Sequence, residues 1–397
     1  LKNGGDIWTN FGSANRTMDI LVPPSSKSRF IQSLKAKNIS VKVSAEDVGR
    51  LIRLEKDLIK FNRKKLLDSV NSRPSQRFRL DRYHTYNEII SYLYSVQTEN
   101  SDIAEVITLP ERTHEGRQLT LIKIGTKETN KAAVFIQGGI HAREWIAPAT
   151  CLCIINELID GYRNDRQKQR FVENVDFYIL PVTNPDGYEY SRNYDRFFRK
   201  NRNPNHNARG QCIGVDLNRN YDFDWGGNGA STHKCDNDYR GEFAFSEPET
   251  RAIRNFMSNL NGRLHGFIDI HSYAQLLAYP YGHRKDAPSD DANLLRSLAM
   301  RATNQIQTYY GTNYVVDTAA NYLYPVSGAS SDWAKGVMNA KYSYLIELPP
   351  RYYYGDGGKG FFLDEDQIQG VCKETLAGFN IIFEQIFYVY ARRRRTS

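Results

Sequence analysis

The chain has 397 residues, 40% of them hydrophobic and 25% charged, which is enough apolar content to bury a sizeable core and too much for a disordered tail. No apolar run reaches the eighteen or more residues of a membrane span, and five cysteines (151, 153, 212, 235 and 372) cannot all pair within one chain. The net charge of +8 is uneven: residues 1–82 hold 18 Lys and Arg against 8 Asp and Glu, whereas the remainder hold 35 against 37, and without a nucleic-acid motif this reads as a basic cover matched to a slightly acidic body.

Leu1 does not begin a signal peptide, so the expectation is a chain already processed at its start. Two glycosylation acceptors, at Asn15 and Asn38, are mild support for the secretory path. Residues 18–22 and 39–43 are strand-like. Between them, residues 25–37 carry Phe30, Ile31 and Leu34 at helical spacing, and residues 45–65 predict a longer helix with a basic end. This small α/β unit runs into residues 69–82, where Arg73, Arg77, Arg79 and Arg82 accompany little apolar content. Such a segment is exposed, either as a site for trypsin-like proteases or as a plain linker.

Beyond Tyr83 strands alternate with helices: strands over 120–124, 132–136, 175–182, 267–270 and 342–346, and helices over 145–159 and 367–390. The alternation predicts a mostly parallel or mixed sheet covered on both faces. Cys212 and Cys235 bracket a Gly- and Asn-rich segment of the kind a disulfide staples for about 3 kcal/mol. Cys151, Cys153 and Cys372 lie in apolar helical patterns, as buried thiols or with one further bridge among them. The arginines at 392–395 read as a solvated end, with a processing site as the alternative.

His141 and Glu144 stand three residues apart where the strand over 132–136 hands over to the helix from 145, whose Pro148 falls in the first turn. Alone, this pair is equally a polar strand-end loop. However, three apolar strands each end in a residue suited to chemistry, namely His141, His271 and Glu347, and sites in open α/β sheets form at the carboxyl ends of strands. His141, Glu144 and His271 would form a His₂Glu set with a fourth position open, the arrangement of catalytic zinc, of which carboxypeptidase A is a known example.

With these motifs the sequence resembles a zinc carboxypeptidase of the pancreatic A/B type, a funnelin, with its propeptide attached. The resemblance rests on His141-Ala-Arg-Glu144-Trp-Ile, Arg199-Lys-Asn-Arg, Gly214-Val-Asp-Leu-Asn218-Arg219-Asn, Ile270-His271-Ser-Tyr273, Tyr324 ahead of Ser327-Gly-Ala-Ser-Ser-Asp332-Trp, and Tyr344-Leu-Ile-Glu347-Leu. The segment from Asp6-Ile-Trp8 to Glu55 similarly resembles the family's prodomain. The resemblance implies a central mixed eight-stranded sheet with helices on both faces, preceded by a small antiparallel open-sandwich prodomain. It implies a prodomain over 1–70, an activation segment over 71–82, a catalytic domain over 83–390 and a basic tail over 391–397.

It further implies one zinc ion held by His141, Glu144 and His271, lowering the pKa of its water to about 7. Glu347 would be the general base, Arg199 the oxyanion partner, and Arg219, with Asn218 and Tyr324, the clamp on the substrate's C-terminal carboxylate. Arg143 and Tyr273 would line the subsites upstream of the scissile bond. The pocket for the last side chain would be lined by Gly282, Ala319, Val326, Ser331 and Leu345. Ser331 stands where basic-specific members place an aspartate, which predicts a preference for apolar or aromatic C-terminal residues. After Glu347, Pro349-Pro350 leads into a longer Tyr- and Gly-rich loop over 351–360, a departure from the family. The implied protein is a secreted, monomeric zymogen activated by a trypsin-like protease and acting on peptide C-termini. The same enzyme with basic specificity, an inert module on this fold and an amidase for non-peptide acyl substrates are the alternatives.

Overall fold

The computed structural model describes residues 5–8, 17–69, 78–204, 212–260, 262–350 and 360–393. The sequon at Asn15, Arg73 and Arg77, the loop over 351–359 and the arginines at 394–395 lie outside them. In the N-terminal unit, strand β1 (Asp6–Ile7) pairs antiparallel with β2 (Ile20–Leu21). Helix α1 (Pro24–Lys35) opens on a proline, whose missing N–H would have been unpaired there anyway. The strand predicted over 39–43 does not form: Ile39 and Val43 are exposed, and β-branched residues without a neighbouring edge have no ladder to join. Helix α2 (Val48–Ser69) starts three residues later than predicted, because the Asp47 carboxylate accepts the Arg50 N–H and caps it there. Among the described residues, none ahead of Tyr83 is buried, although Trp8, Leu21, Val48, Leu51 and Ile52 pack against Phe197, Tyr273, Phe361 and Phe362 of the body.

The body begins with α3 (Tyr86–Glu99), which the reading of the sequence missed although Thr85 and Glu88 form a reciprocal capping box at its start. Then come β3 (Ala104–Arg112), β4 (Gln118–Ile124), β5 (Ala132–Gly138), α4 (Ile146–Asn164), α5 (Arg166–Asn174), β6 (Val175–Leu180) and α6 (Pro185–Asn193). The strand predicted to reach residue 182 stops at Leu180, before Pro181 removes a ladder donor. The chain continues through α7 (Pro248–Ser258), β7 (Leu264–Ser272), β8 (Leu276–Ala278), α8 (Ala292–Tyr310), β9 (Val315–Asp317), α9 (Ala319–Tyr322), α10 (Ser330–Gly336), β10 (Tyr342–Leu348) and α11 (Ile368–Arg393).

Eight strands form one mixed sheet in the order β3-β4-β6-β5-β7-β10-β8-β9. The central strands β6, β5, β7 and β10 run parallel, while β3, β4 and β8 introduce antiparallel pairs. Alternation along β5 divides the core: Val134 and Ile136 pack with α3, α4, α8 and α11, whereas Ala133 and Phe135 pack with α7 and α10. Both faces are therefore covered, and the sheet reads as near-continuous apolar runs. Because β5, β7 and β10 are neighbours and parallel, their carboxyl ends open side by side.

The cysteines resolve the alternatives left open above. Cys153 on α4 is bonded to Cys372 on α11, Cys212 to Cys235, and Cys151 stays a buried free thiol. The first bridge closes a loop of 219 residues, so replacing both Cys153 and Cys372 by alanine is expected to lower unfolding stability by about 2–5 kcal/mol. A denaturant midpoint equal to that of the parent would show that packing alone holds the two helices.

Candidate metal centre and substrate cleft

The first two metal-capable residues are placed by a tight strand-to-helix turn. Gly139 adopts φ +64°, and a Cβ on Gly138 would stand 2.8 Å from Cys151 Sγ, so the glycines let β5 end against the first turn of α4. His141 and Glu144 follow in that turn, His271 lies near the end of β7, and Glu347 is its register neighbour on β10. His141, Glu144 and His271 are buried and offer one ligand atom each within 4.8 Å of one another.

The geometry calls for a cation. His141 Nδ1 is 2.8 Å from Glu144 Oε1, His271 Nδ1 is 3.1 Å from Glu144 Oε2, and the two Nδ1 atoms are 3.1 Å apart. Each imidazole turns its other nitrogen to a carboxylate: His141 Nε2 to Asp216 at 3.1 Å and His271 Nε2 to Asp269 at 2.9 Å. When Nε2 donates to these carboxylates, the Nδ1 lone pairs converge on one point with the Glu144 oxygens. Facing lone pairs repel unless positive charge lies between them, and two nitrogens and one carboxylate are the donor set of catalytic zinc.

Electrostatics agree. Burial works to raise the Glu144 carboxyl, but His141 and His271 outweigh it and hold the group well below its usual range. Burial would lower His271, yet Asp269 and Glu144 override it and draw the imidazole toward its cationic form. Glu347 is different: burial pushes its carboxyl up to about 8, with His271 working against that.

The same cleft contains the other residues expected from the sequence except Arg143. Arg199, Asn218, Arg219, Tyr273 and Tyr324 line it together with Gly282, Ala319, Val326, Ser331 and Leu345. Arg199 donates to Asp216 through Nε at 3.1 Å and Nη2 at 2.9 Å, and its Nη1 is 3.8 Å from Glu144 Oε1. Arg219 is 2% exposed, fixed by the carbonyls of Gly229 (2.6 Å) and Asn218 (2.9 Å), with Nη2 3.5 Å from the Tyr324 hydroxyl. Asn218 Oδ1 in turn accepts the Ser330 N–H at 2.9 Å. Asp332 also borders the pocket, but its carboxylate accepts the N–H groups of Gly282 and His283 at 2.8 to 3.0 Å, so it is committed to the wall.

Arg143 is turned toward the N-terminal unit, where Nη1 donates to Asp6 at 2.7 Å. Tyr273 donates its hydroxyl to Asp19 at 2.7 Å, and Glu55 forms a two-point ion pair with buried Arg196 at 2.7 and 3.2 Å. Trp8 reaches the cleft itself, its ring 4.5 Å from Phe197 and 5.3 Å from Phe361. None of these partners was predicted. Asp269 could have been, since it sits two residues before His271 on the same strand face, and Asp216 lay inside a quoted motif. Asp6, Asp19 and Glu55 carry no local signal, because only the docked arrangement brings them to their partners.

A family model described as zinc carboxypeptidase matches residues 89–378, and one described as carboxypeptidase activation peptide matches residues 2–55. The chain is 35% identical to carboxypeptidase A6 of Homo sapiens over 377 residues, covering 94% of this chain and 82% of that protein. It is 39% identical to carboxypeptidase B of Astacus astacus over 300 residues, covering 76% of this chain and 95% of that protein. Its fold matches the crystal structure of carboxypeptidase A from Helicoverpa armigera with a TM-score of 0.86 at 30% identity, covering 98% of this chain and 92% of that one.

Proposed function

The chain belongs to the zinc carboxypeptidase family and carries an activation peptide, and from that premise we propose that it is a secreted, monomeric zymogen of an exopeptidase that releases apolar or aromatic C-terminal residues. The observation that carries the reading is the convergence of the His141, Glu144 and His271 donor atoms, half-buried Glu347 and the Arg219–Tyr324 pair in one cleft. In this reading the prodomain spans 1–70, the activation segment 71–82, the catalytic domain 83–390 and the basic tail 391–397.

His141, Glu144 and His271 would hold the zinc, with Asp216 and Asp269 fixing the ring orientation of the two histidines. Zinc bound there supplies a Lewis acid that polarises the scissile carbonyl and acidifies water. Arg219 and Tyr324, helped by Asn218, grip the terminal carboxylate, which restricts cleavage to the last peptide bond. Glu347, whose carboxyl rises to about 8 when only burial and its neighbours act, is brought back toward its carboxylate by positive charge in the trio. It then takes the proton of the attacking water and hands it to the leaving amine. Arg199, held by Asp216, is a fixed cation aimed at the developing oxyanion.

The pocket argues for apolar side chains. Ser331 offers no charge, and Asp332 is held by the Gly282 and His283 N–H groups with the His283 ring beside it, so a Lys or Arg head would be desolvated without a dedicated partner. After trypsin activation, peptides ending in Phe or Leu are expected to be hydrolysed at least about tenfold faster, in kcat/KM, than matched peptides ending in Arg or Lys. Faster release of Arg would overturn the pocket assignment.

A further inference from the structure

Trp8 of the N-terminal unit lines the cleft, and beside it two arginines of the body are paired with acids of the same unit. Asp6 and Glu55 are the ion-pair partners of Arg143 and Arg196, and among the described residues those arginines, each 2% exposed, form no ion pair with the body. Trp8 sits between Phe197 and Phe361, and its Nε1 donates to Asp6 at 3.1 Å, so acid and ring are presented as one linked unit. The Arg143 guanidinium also lies over the Phe361 ring, 4.4 Å from its centroid.

Removing the prodomain takes both carboxylates and the ring away together. Two guanidinium groups left without their carboxylates attract an acidic side chain, and an aromatic-walled slot opened to water loses its apolar contacts. Arg196 keeps the carbonyls of Arg143 and Phe361 and the Trp145 ring, 3.7 Å from its guanidinium, and Arg143 keeps a 3.4 Å contact to the Phe197 carbonyl, but neither keeps an anion. The peptide that best repairs this surface returns what was removed.

We propose that the part of a substrate ahead of its C-terminal residue is selected for an acidic and an aromatic side chain, with Arg143 and Arg196 reading the acid and Phe197 and Phe361 the ring. This rests on the exopeptidase reading above and adds the substrate class to it. The released prodomain segment, on this view, is a template for the substrate.

The test uses the trypsin-activated protein and peptides that share one C-terminal Ala-Phe and carry, ahead of it, Asp with Trp, Asp with Gly, Lys with Trp or Lys with Gly. Hydrolysis is read as kcat/KM, and affinity is read separately by fluorescence anisotropy on the activated Glu347→Gln protein. The Asp-Trp peptide is expected to exceed the Lys-Gly peptide about tenfold in both readouts, with the other two between them and the acid step flattened by Arg143→Gln. Equal values, or preference for lysine, would overturn the proposal. Graded affinity without hydrolysis of any peptide would support it while sinking the exopeptidase reading, and hydrolysis with flat ratios would do the reverse.

Discussion

Replacing Glu347 by glutamine is expected to lower kcat/KM by about three orders of magnitude while leaving zinc content at one ion per chain. Glutamine matches the shape of the side chain but can neither accept the proton of water nor return it. The three expected ligands are untouched, because Glu347 is the neighbour of His271 across the β7–β10 register and is not itself among the converging donor atoms. The substitution also removes a carboxyl whose ionisation burial opposes, so the thermal midpoint should not fall. Activity within about tenfold of the parent, at unchanged metal content, would refute the assignment of Glu347 as base.

Arg219→Ala is expected to cut kcat/KM by about a hundredfold to a thousandfold on peptides with a free C-terminal carboxylate. Two charge-assisted hydrogen bonds from one planar fork account for that range. Arg219 also braces the Gly229 and Asn218 carbonyls, so a lower melting temperature in the alanine variant alone would be ambiguous. Two controls remove the ambiguity. Arg219→Lys keeps the charge but not the fork and should recover only part of the loss. C-terminally amidated peptides, poor substrates for the parent, should be little affected by the change. An equal loss on amidated and free peptides would place Arg219 in the scaffold and not in the carboxylate clamp.

Much of the fold was legible where the sequence carries one strong period. The runs at 132–136, 267–270 and 342–346 became β5, β7 and β10, and their neighbouring parallel order explains why His141, His271 and Glu347 meet. The short β8 and β9, three residues each, carry too little periodicity to stand out, and they form because β10 offers an edge. Helices α3 and α7 were missed despite local signals, a capping box at Thr85 and Glu88 and a proline at the first position of α7. The strand expected over 39–43 had the right residue types and lacked a partner. In the site, the grouping of His141, Glu144 and His271 was expected from residue type and spacing, whereas Asp6, Asp19 and Glu55 act through contacts 137 to 254 residues apart in the chain. Such contacts leave no trace in local pattern.

The most direct test of the central claim is a peptidase assay on the purified full-length chain, using a C-terminal Phe peptide before and after limited trypsin treatment, with and without a chelator. The intact chain should be silent, hydrolysis should appear as the segment between the prodomain and Tyr83 is cut, and chelation should abolish it until zinc is restored. Hydrolysis that survives the chelator, or none after clean removal of the prodomain, would contradict the account.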